Sequence, residues 1–153
     1  MAESNQYQQF LMYAYDLQLK LQTSRNALTQ LNTMIEGISI THSVIKELVG
    51  KPADQEIILP LGSYAALKAK IPDPDAMLIS VGQKTLVEQD SKSALEYIRK
   101  KREELQKQRD KVKKQVDELQ SELDKIEPQL QQLQQIYQAQ QMRGFTSPQS
   151  QPK

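Results

Sequence analysis

The sequence predicts an α+β fold: a long antiparallel two-helix coiled coil with two central β-hairpins. Two stretches repeat apolar residues in alternating steps of three and four, and Gly, Pro and Asp break the stretch between them into short apolar runs. The two helical stretches have similar lengths, so they can fold back along each other. An N-terminal helix, two hairpins, a C-terminal helix and a disordered tail are expected at residues 4–49, 54–90, 91–142 and 143–153.

Composition narrows the class of protein. The 153 residues suit one domain or one subunit, and a net charge of +1 argues against a general polyanion binder. A hydrophobic content of 38% without Trp is low for a globular core but normal for a coiled coil, which buries only a narrow seam. The absence of Cys excludes disulfides and thiolate chemistry. No apolar run approaches the roughly 20 residues that span a bilayer, and Met1–Gln6 is unlike a signal peptide, so we expect a cytoplasmic protein.

The first helix is predicted from a heptad seam, a line of apolar positions that one helix presents to another. Gly50 supplies a residue suited to ending the helix, and Pro52 prevents its continuation. The seam is sustained over more than five heptads, enough to predict a coiled coil. Its positions are Phe10, Ala14, Leu17, Leu21, Ser24, Leu28, Leu31, Ile35, Ile38, His42, Ile45 and Val49.

The central stretch contains four candidate strands, and therefore two hairpins. Turns are expected at Pro60–Ser63 and Gly82–Gln83, and Pro72–Asp75 should link the hairpins because proline cannot donate to a central ladder. Tyr64–Lys70 has a helix-favouring composition, so a short helix is the alternative to a strand there. Two hairpins alone bury too little to be stable, so another chain should complete the sheet. The expected assembly residues are Ile57, Leu59, Leu61, Leu67, Ile71, Met77, Ile79, Val81, Leu86 and Val87.

The second helix should open between Asp90 and Ser93. Ser93 and Glu96 form a possible capping box, with Asp90 as the rival N-cap. Pro128 lies inside the pattern and should kink the helix. Two arginines interrupt the seam, which reads Leu95, Ile98, Arg102, Leu105, Arg109, Val112, Val116, Leu119, Leu123, Ile126, Leu130, Leu133, Tyr137 and Gln140.

The end of the coiled coil away from the hairpins has its own character. Antiparallel pairing with partner numbers summing to about 141–144 brings together two stretches without any charge, 4–15 and 128–142. Aromatic and Met side chains are concentrated there, and not all of them fit the seam, so we expect an interaction surface. The alternative is that they only hold the end of the coiled coil together. The candidate binding residues are Tyr7, Phe10, Leu11, Met12, Tyr13, Tyr15, Leu133, Ile136, Tyr137 and Met142.

The sequence shows no pattern of catalytic, cofactor-binding or metal-binding residues. His42 lies in the seam, and Asp73 and Asp75 between prolines suggest turn chemistry rather than metal ligation. The basic run Arg99–Arg102 has acidic neighbours and no interleaved aromatics, which favours a solvated face over nucleic-acid binding. We therefore expect a protein that is not an enzyme, with no cofactor, no metal, no nucleic-acid partner and no membrane.

The centre of the chain resembles the alpha class of prefoldin subunits, most closely the archaeal type. The resemblance covers nearly the whole chain up to Gly144. The residues that carry it are Leu59–Tyr64, Lys68–Ile71, Ile79–Gly82 and Val87–Asp90.

The resemblance implies a heterohexamer of two alpha and four beta prefoldin subunits, in which the hairpins join an oligomeric β-barrel and the coiled coils hold non-native proteins at their distal tips. It further implies an ATP-independent holdase that transfers these clients to a group II chaperonin. The main alternative is a coiled-coil spacer or filament-forming prefoldin relative that binds no client. A helical arm that binds nucleic acid is a weaker alternative.

Overall fold

A computed structural model describes residues 2–144. The elements follow the predicted order and type: α1 (Ala2–Leu48), β1 (Gln55–Pro60), β2 (Ala66–Ile71), β3 (Ala76–Gly82), β4 (Thr85–Asp90) and α2 (Ser91–Gly144). Because α2 extends to Gly144, the prediction of a disordered tail was wrong for Arg143 and Gly144. The remainder of that predicted tail, 145–153, lies outside the described residues.

The chain divides into two compact units. The first combines α1 up to Gln30 with α2 from Arg109 onward, and the second is Leu31–Gln108, which contains both hairpins. In the first unit Tyr7 stacks on Tyr137, as the predicted antiparallel pairing requires.

The predicted seams are the least exposed faces of both helices. Every seam position from Phe10 to Ile45 in α1, and from Leu95 to Tyr137 in α2, is buried or half-buried. Val49 is exposed because α1 ends one residue earlier, and Gln140 is exposed, so these two seam positions were wrong. α2 is helical through Pro128 without a break, and the bend expected there stays a prediction.

The two seam arginines are half-buried but differ in their bonding. The Arg109 guanidinium donates from Nε and Nη2 to Asp110 Oδ1 at 3.0 and 2.7 Å. The Nε of Arg102 is buried and has no hydrogen-bond partner in the described part of the chain. Both positions are thus polar interruptions of an apolar seam, as the sequence predicted.

The first hairpin pairs β1 with β2 in antiparallel register, with Leu59 opposite Leu67. The helical alternative for Tyr64–Lys70 was therefore wrong. Pro60 still pairs with Ala66, so the turn begins one residue later than predicted. It is closed by the Leu61 N–H, which donates to the Ala65 carbonyl at 2.8 Å.

The second hairpin pairs β3 with β4, with Ile79 opposite Val87. Its turn is Gln83–Lys84, one residue beyond the predicted Gly82–Gln83, and both turn residues have positive φ (48° and 60°). Two positive φ angles match the twist of a two-residue hairpin turn. Gly82 has a φ of 106° at a register shift after Ser80, which a glycine adopts without steric cost.

The start of α2 is fixed by hydrogen bonds from Ser93. Its N–H and hydroxyl donate to the Asp90 carboxylate at 2.8 and 2.7 Å, so Asp90 is the N-cap. The Ser93–Glu96 capping box was wrong, because the Glu96 carboxylate instead accepts two bonds from Arg99. A charged partner one turn along α2 thus takes the side chain that the box would have used.

A second carboxylate ties α2 to the link between the hairpins. The backbone N–H of Ser91 donates to Asp75 Oδ1 at 3.1 Å, and the buried Ser91 hydroxyl donates to the same oxygen. The N–H of Asp75 itself donates to Asp73 Oδ1 at 2.9 Å, closing a local turn. Asp73 and Asp75 therefore perform the turn chemistry that the sequence predicted.

Apolar packing joins the second hairpin to both helices. Ile79 is 6% exposed and lies in one buried cluster with Ile45, Ala94 and Ile98. Ile38, Met77, Leu95 and Tyr97 pack against this cluster. One face of the β3–β4 hairpin is thus covered. The bond from Ser91 to Asp75 joins the residue that follows β4 to the residue that precedes β3.

Replacing Asp75 tests the polar link. Asp75→Ala leaves the buried Ser91 donors without their acceptor, so the free energy of unfolding should fall by about 1–3 kcal/mol in urea titrations followed by circular dichroism. Asp73→Ala removes only the exposed bond within the turn and should cost less. Equal losses for the two variants would contradict the role assigned to Asp75.

Acid titration tests the N-cap. The hydrogen bonds from the Ser93 N–H and hydroxyl hold the pKa of the Asp90 carboxyl below its ordinary value. Because the folded-state pKa is lowered, the cap stabilises the fold above the unfolded-state pKa of about 3.9. That contribution is lost as the pH falls through the folded-state pKa.

The gap in urea midpoint between the unmodified chain and Asp90→Asn should therefore be constant above about pH 5 and close toward pH 2. Ser93→Ala removes the hydroxyl that donates to Asp90. When both proteins carry Ser93→Ala, the difference in urea midpoint caused by Asp90→Asn should therefore be smaller at neutral pH. A gap that persists unchanged to pH 2 would refute the assignment.

Candidate functional site

The described residues present exposed apolar surfaces that are available for contact. Among residues 2–144, no group of three His, Asp or Glu is placed to hold a metal ion. No helix in this range is long and apolar enough to cross a bilayer. His42 is half-buried in the seam of α1. The candidate sites are therefore the two apolar surfaces that the sequence singled out.

Four of the ten predicted binding residues belong to the seam of the coiled coil. The rings of Tyr7 and Tyr137 stack with centroids 5.3 Å apart and an interplanar angle of 22°. Phe10 and Leu133 are half-buried on the same seam. Stacked aromatic pairs add about 0.5–1.5 kcal/mol beyond burial of their area. These four residues mainly hold the helices together, which was the alternative considered for this end.

The other six predicted residues are exposed and form what we call the end surface. Met12, Tyr15 and Met142 are 74%, 69% and 77% exposed. Tyr15 lies four positions after Leu11 and three positions after Met12, so the three side chains share one helix face. The full set is Leu11, Met12, Tyr13, Tyr15, Ile136 and Met142.

Leu19 is an exposed apolar side chain that the sequence analysis missed. It lies one helical turn beyond Tyr15, on the same face of α1. Its position four residues after Tyr15 was the feature of the sequence that could have identified it. The prediction stopped at the first charged residue, Asp16, whose carboxylate pairs with Lys20 at 2.7 Å. An ion pair on an adjacent face leaves Leu19 free to extend the end surface.

Tyr13 differs from the other members because it is bound to α2. Its hydroxyl donates to the Glu122 carboxylate, and this bond, followed by partial burial and the Glu122 charge, raises the Tyr13 pKa. Two turns beyond Asp16, Arg25 donates to Gln120 Oε1 at 2.7 Å. These two hydrogen bonds join α1 to α2 within the first unit, which also contains the end surface.

The end surface has the chemistry of a general apolar binding site. The stretches 4–15 and 128–142 contain no charged side chain and are rich in Gln. A shallow depression is lined by Gln6, Leu133, Ile136, Tyr137 and Gln140. Thioethers and aromatic rings adapt to partners of varied shape, and amides can bond to exposed backbone groups.

The second surface is the uncovered part of the hairpins. Along β3, Ile79 faces the core while Leu78 points to the opposite side, where Leu86 of β4 is also exposed. β1 likewise has apolar residues on both faces, since Ile57 is half-buried and Ile58 is exposed. Strands with two apolar faces are typical of sheets that are covered on both sides.

The ten predicted assembly residues differ in how far their side chains are exposed. Ile79 is buried, and Ile57, Ile71 and Met77 are half-buried. Three further exposed residues, Ile58, Leu78 and Tyr64, were not among those predicted, although the unbroken run Ile57–Leu59 was a signal for two apolar faces. The exposed predicted residues are Leu59, Leu61, Leu67, Val81, Leu86 and Val87.

The hairpins also have open edges. In the described part of the chain, β1 pairs only with β2 and β3 pairs only with β4, giving two separate two-stranded sheets. Unpaired strand edges present backbone N–H and C=O groups that can pair with another chain. Exposed faces and open edges together make the hairpins the expected site of subunit assembly.

Comparisons with known proteins agree on one family. The family model described as Prefoldin subunit matches residues 17–136. The prefoldin subunit alpha of Methanoregula boonei is 32% identical over 59 residues, which cover 39% of each chain. That of Methanosarcina acetivorans is 26% identical over 95 residues, covering 59% of this chain and 66% of the relative. Both alignments span less than two thirds of the relative's length.

A solved structure supports the same fold. A chain in the cryo-EM structure of filamentous PFD from Methanocaldococcus jannaschii aligns with a TM-score of 0.63 and 21% sequence identity. The alignment covers 74% of this chain and 93% of that chain. The likeness extends the family match to the arrangement of helices and hairpins.

Proposed function

This chain belongs to the prefoldin family, and we propose that it is an alpha-class subunit of a cytoplasmic, ATP-independent holdase. In this proposal it joins four beta subunits and a second alpha subunit in a heterohexamer. The complex captures non-native proteins at the ends of its coiled coils and passes them to a group II chaperonin. No catalytic step, cofactor or metal is part of the proposal.

The observation that carries the proposal is the end surface. Exposed side chains as large as Met12, Tyr15 and Met142 have no structural role in the seam, and they lie in stretches without charge. Non-native proteins expose apolar segments of no fixed shape, and an adaptable apolar surface suits such partners. Native proteins bury those segments, so the same surface discriminates between the two states.

Binding of this kind needs no nucleotide for release. Apolar contact contributes about 25 cal/mol per Å² of buried area, and much of this is offset by the entropy lost on association. A few exposed side chains on one subunit therefore bind weakly and reversibly. Several subunits acting on one client raise the overall affinity through multivalency. Release follows when the client buries its apolar segments or meets a stronger receptor.

Multivalency requires that several subunits assemble, and the hairpins support such assembly. The exposed Leu78 and Leu86 and the open strand edges need a partner, and strands of neighbouring subunits would supply both cover and pairing. A closed barrel of such strands would leave no free edge.

A second candidate function is a structural, filament-forming prefoldin without client binding. The observation that favours it is the fold likeness to a chain from a filamentous assembly. Open strand edges serve an open polymer as well as a closed barrel. The end surface distinguishes the two candidates, because a spacer has no use for exposed Met and Tyr side chains there.

Assembly is tested by measuring mass with light scattering, for this chain alone and mixed with a prefoldin beta subunit. A discrete hexamer should form only in the mixture. Leu78→Glu combined with Leu86→Glu places carboxylates on the uncovered sheet face and should abolish the hexamer. Lys113→Glu, an exposed change on α2, is the control and should leave it intact. An open-ended polymer would favour the structural candidate.

Client capture is tested in the assembled complex by following aggregation of a denatured protein. Replacing Met12, Tyr15 and Met142 with Gln removes the most exposed apolar groups, and protection should require about ten-fold more complex, equivalent to about 1.4 kcal/mol of binding. The control variant, Gln8→Ser with Gln9→Ser and Gln138→Ser, changes exposed polar residues in the same stretches. Undiminished protection in an intact hexamer of the first variant would refute client capture by the end surface.

A further inference from the structure

The two hairpins differ in how much cover the rest of the chain gives them. In the second hairpin (β3–β4) Ile79 is buried, and it packs with Ile45 of α1 and with Ala94 and Ile98 of α2. In the first hairpin (β1–β2) no strand residue is buried. Both hairpins lie in the second unit, so this difference arises within one compact body.

The first hairpin has an apolar face that loses its cover toward the turn. The antiparallel register places the pairs Ile57–Ala69 and Leu59–Leu67 on that face. Ile57 and Ala69, farther from the turn, are half-buried, whereas Leu59 and Leu67 are 45% and 53% exposed. Tyr64, which precedes β2, is fully exposed. The half of the hairpin next to the turn therefore gains little from burial of apolar area.

Local residue preference also separates the two hairpins. The segment 66–70 of β2 consists of Ala, Leu and Lys, which favour a helix, and this is why the sequence alone allowed a helix there. Pro60, the last residue of β1, has no N–H to donate to the ladder. The second hairpin instead contains β-branched residues, which favour strands. They are Ile79, Val81, Thr85 and Val87.

Polar bonds tie down the second hairpin but not the first. The Ser91 N–H donates to Asp75, which connects both ends of the second hairpin to the start of α2. In the described chain, the hydrogen bonds of the first hairpin beyond its ladder stay within the hairpin. One joins the Leu61 N–H to the Ala65 carbonyl, and the other joins the Gln55 amide to the neighbouring carbonyl at 3.4 Å.

These differences have a direct consequence for stability. A two-stranded hairpin without cover is marginally stable in water. Regions with few buried apolar contacts open by local unfolding at a lower free energy than the rest of the protein. The first hairpin combines little cover, weak strand preference and no polar bond to another element, so it should open while the second hairpin and the helices stay folded.

We propose that the two hairpins are separate folding units in the free chain. The second stays formed with the helices, whereas the first opens and closes by local unfolding. Assembly with neighbouring subunits then holds the first hairpin closed. The statement about assembly rests on the proposed function, because it needs neighbouring strands, and the statement about the free chain does not.

Assembly of this kind includes a folding step. Only the closed first hairpin presents paired strands and a continuous apolar face to a neighbour. The affinity for that neighbour is therefore reduced in proportion to the fraction of chains in which the hairpin is closed. A form of the chain with the first hairpin held closed should assemble at lower concentration.

Hydrogen exchange tests the statement about the free chain. The chain is diluted until light scattering gives the mass of one copy, and exchange is followed by mass spectrometry of peptides from each hairpin. Relative to their intrinsic rates, amides of 77–81 should exchange at least about a hundred-fold more slowly than those of 57–59 and 67–70. Equal protection of the two hairpins would overturn the proposal.

The same measurement after adding a prefoldin beta subunit tests the statement about assembly. In the hexamer, amides of 67–70 should gain at least about ten-fold protection, and those of 77–81 should gain less. A hexamer in which the first hairpin exchanges as fast as in the free chain would overturn this statement. No rise in mass would overturn the proposed function and this statement with it, while the free-chain comparison still decides the first statement.

A disulfide across the first hairpin provides a matched comparison, because the chain has no Cys. Glu56 and Lys70 lie directly opposite each other, and both are exposed. The Cα atoms of such pairs are about 4.5–5.5 Å apart, within the range that a disulfide spans. In the double variant Glu56→Cys with Lys70→Cys, the oxidised form holds the hairpin closed, and the reduced form of the same protein is the control.

We expect oxidation to slow exchange at 67–70 in the free double variant at least about ten-fold, and to lower the concentration needed for assembly about ten-fold. An oxidised form that exchanges no more slowly than the reduced form would mean that the hairpin is already closed, which contradicts the first statement. Slower exchange with unchanged assembly would show that assembly does not depend on closing the hairpin, and would overturn the second.

Discussion

The burial of Ile79 against Ile45, Ala94 and Ile98 is the contact on which the hairpin unit depends. A two-stranded hairpin has no interior of its own, so it is stable only where another element covers one of its faces. Here both helices cover the same face, one from its last turns and the other from its first. Because α2 follows β4 directly, this packing also holds the start of α2 in place. The other face of the hairpin stays apolar and uncovered, with Leu78 and Leu86 exposed.

Polar bonds make that junction specific. Apolar packing alone tolerates small shifts between a hairpin and a helix, since it has no preferred direction. Asp75 and Asp90 accept directed bonds from Ser91 and Ser93, so the first turn of α2 has one position relative to β4 and the proline link. Two carboxylates at a helix N-terminus are also favoured by the helix dipole. The two carboxylates are therefore electrostatically favoured at this helix end, and their hydrogen bonds fix the position of the first turn of α2.

In the first unit, the aromatic residues of the two uncharged stretches differ in exposure. Tyr7 and Tyr137 stack within the seam, and Tyr15 faces outward. One short uncharged region thus has a stacked ring pair between its helices and exposed rings outside them. Charged residues resume directly beyond it in both helices, at Asp16 in α1 and Glu127 in α2.

The order of residues along the chain is enough to predict the elements and the seams. The three-four spacing from Phe10 to Ile45 and from Leu95 to Tyr137 predicted which face of each helix is buried, because periodicity is a local property of the chain. Gly, Pro and Asp likewise placed four strands in the centre. These features depend on backbone geometry and residue order, so no long-range contact was needed to predict them.

The choice between neighbouring candidates for the same role needed the three-dimensional contacts. Asp90 rather than the Ser93–Glu96 box caps α2 because Arg99 engages Glu96. The second turn moved to Gln83–Lys84 because Gly82 was used for the register shift. Which aromatics are exposed was likewise set by the partner helix, which covers Tyr7 and Phe10 but not Tyr15. In the first two cases neighbouring local arrangements have similar energies, and the pattern of residue types does not say which one forms. In the third case the choice depends on a contact from α2, which is distant in the chain.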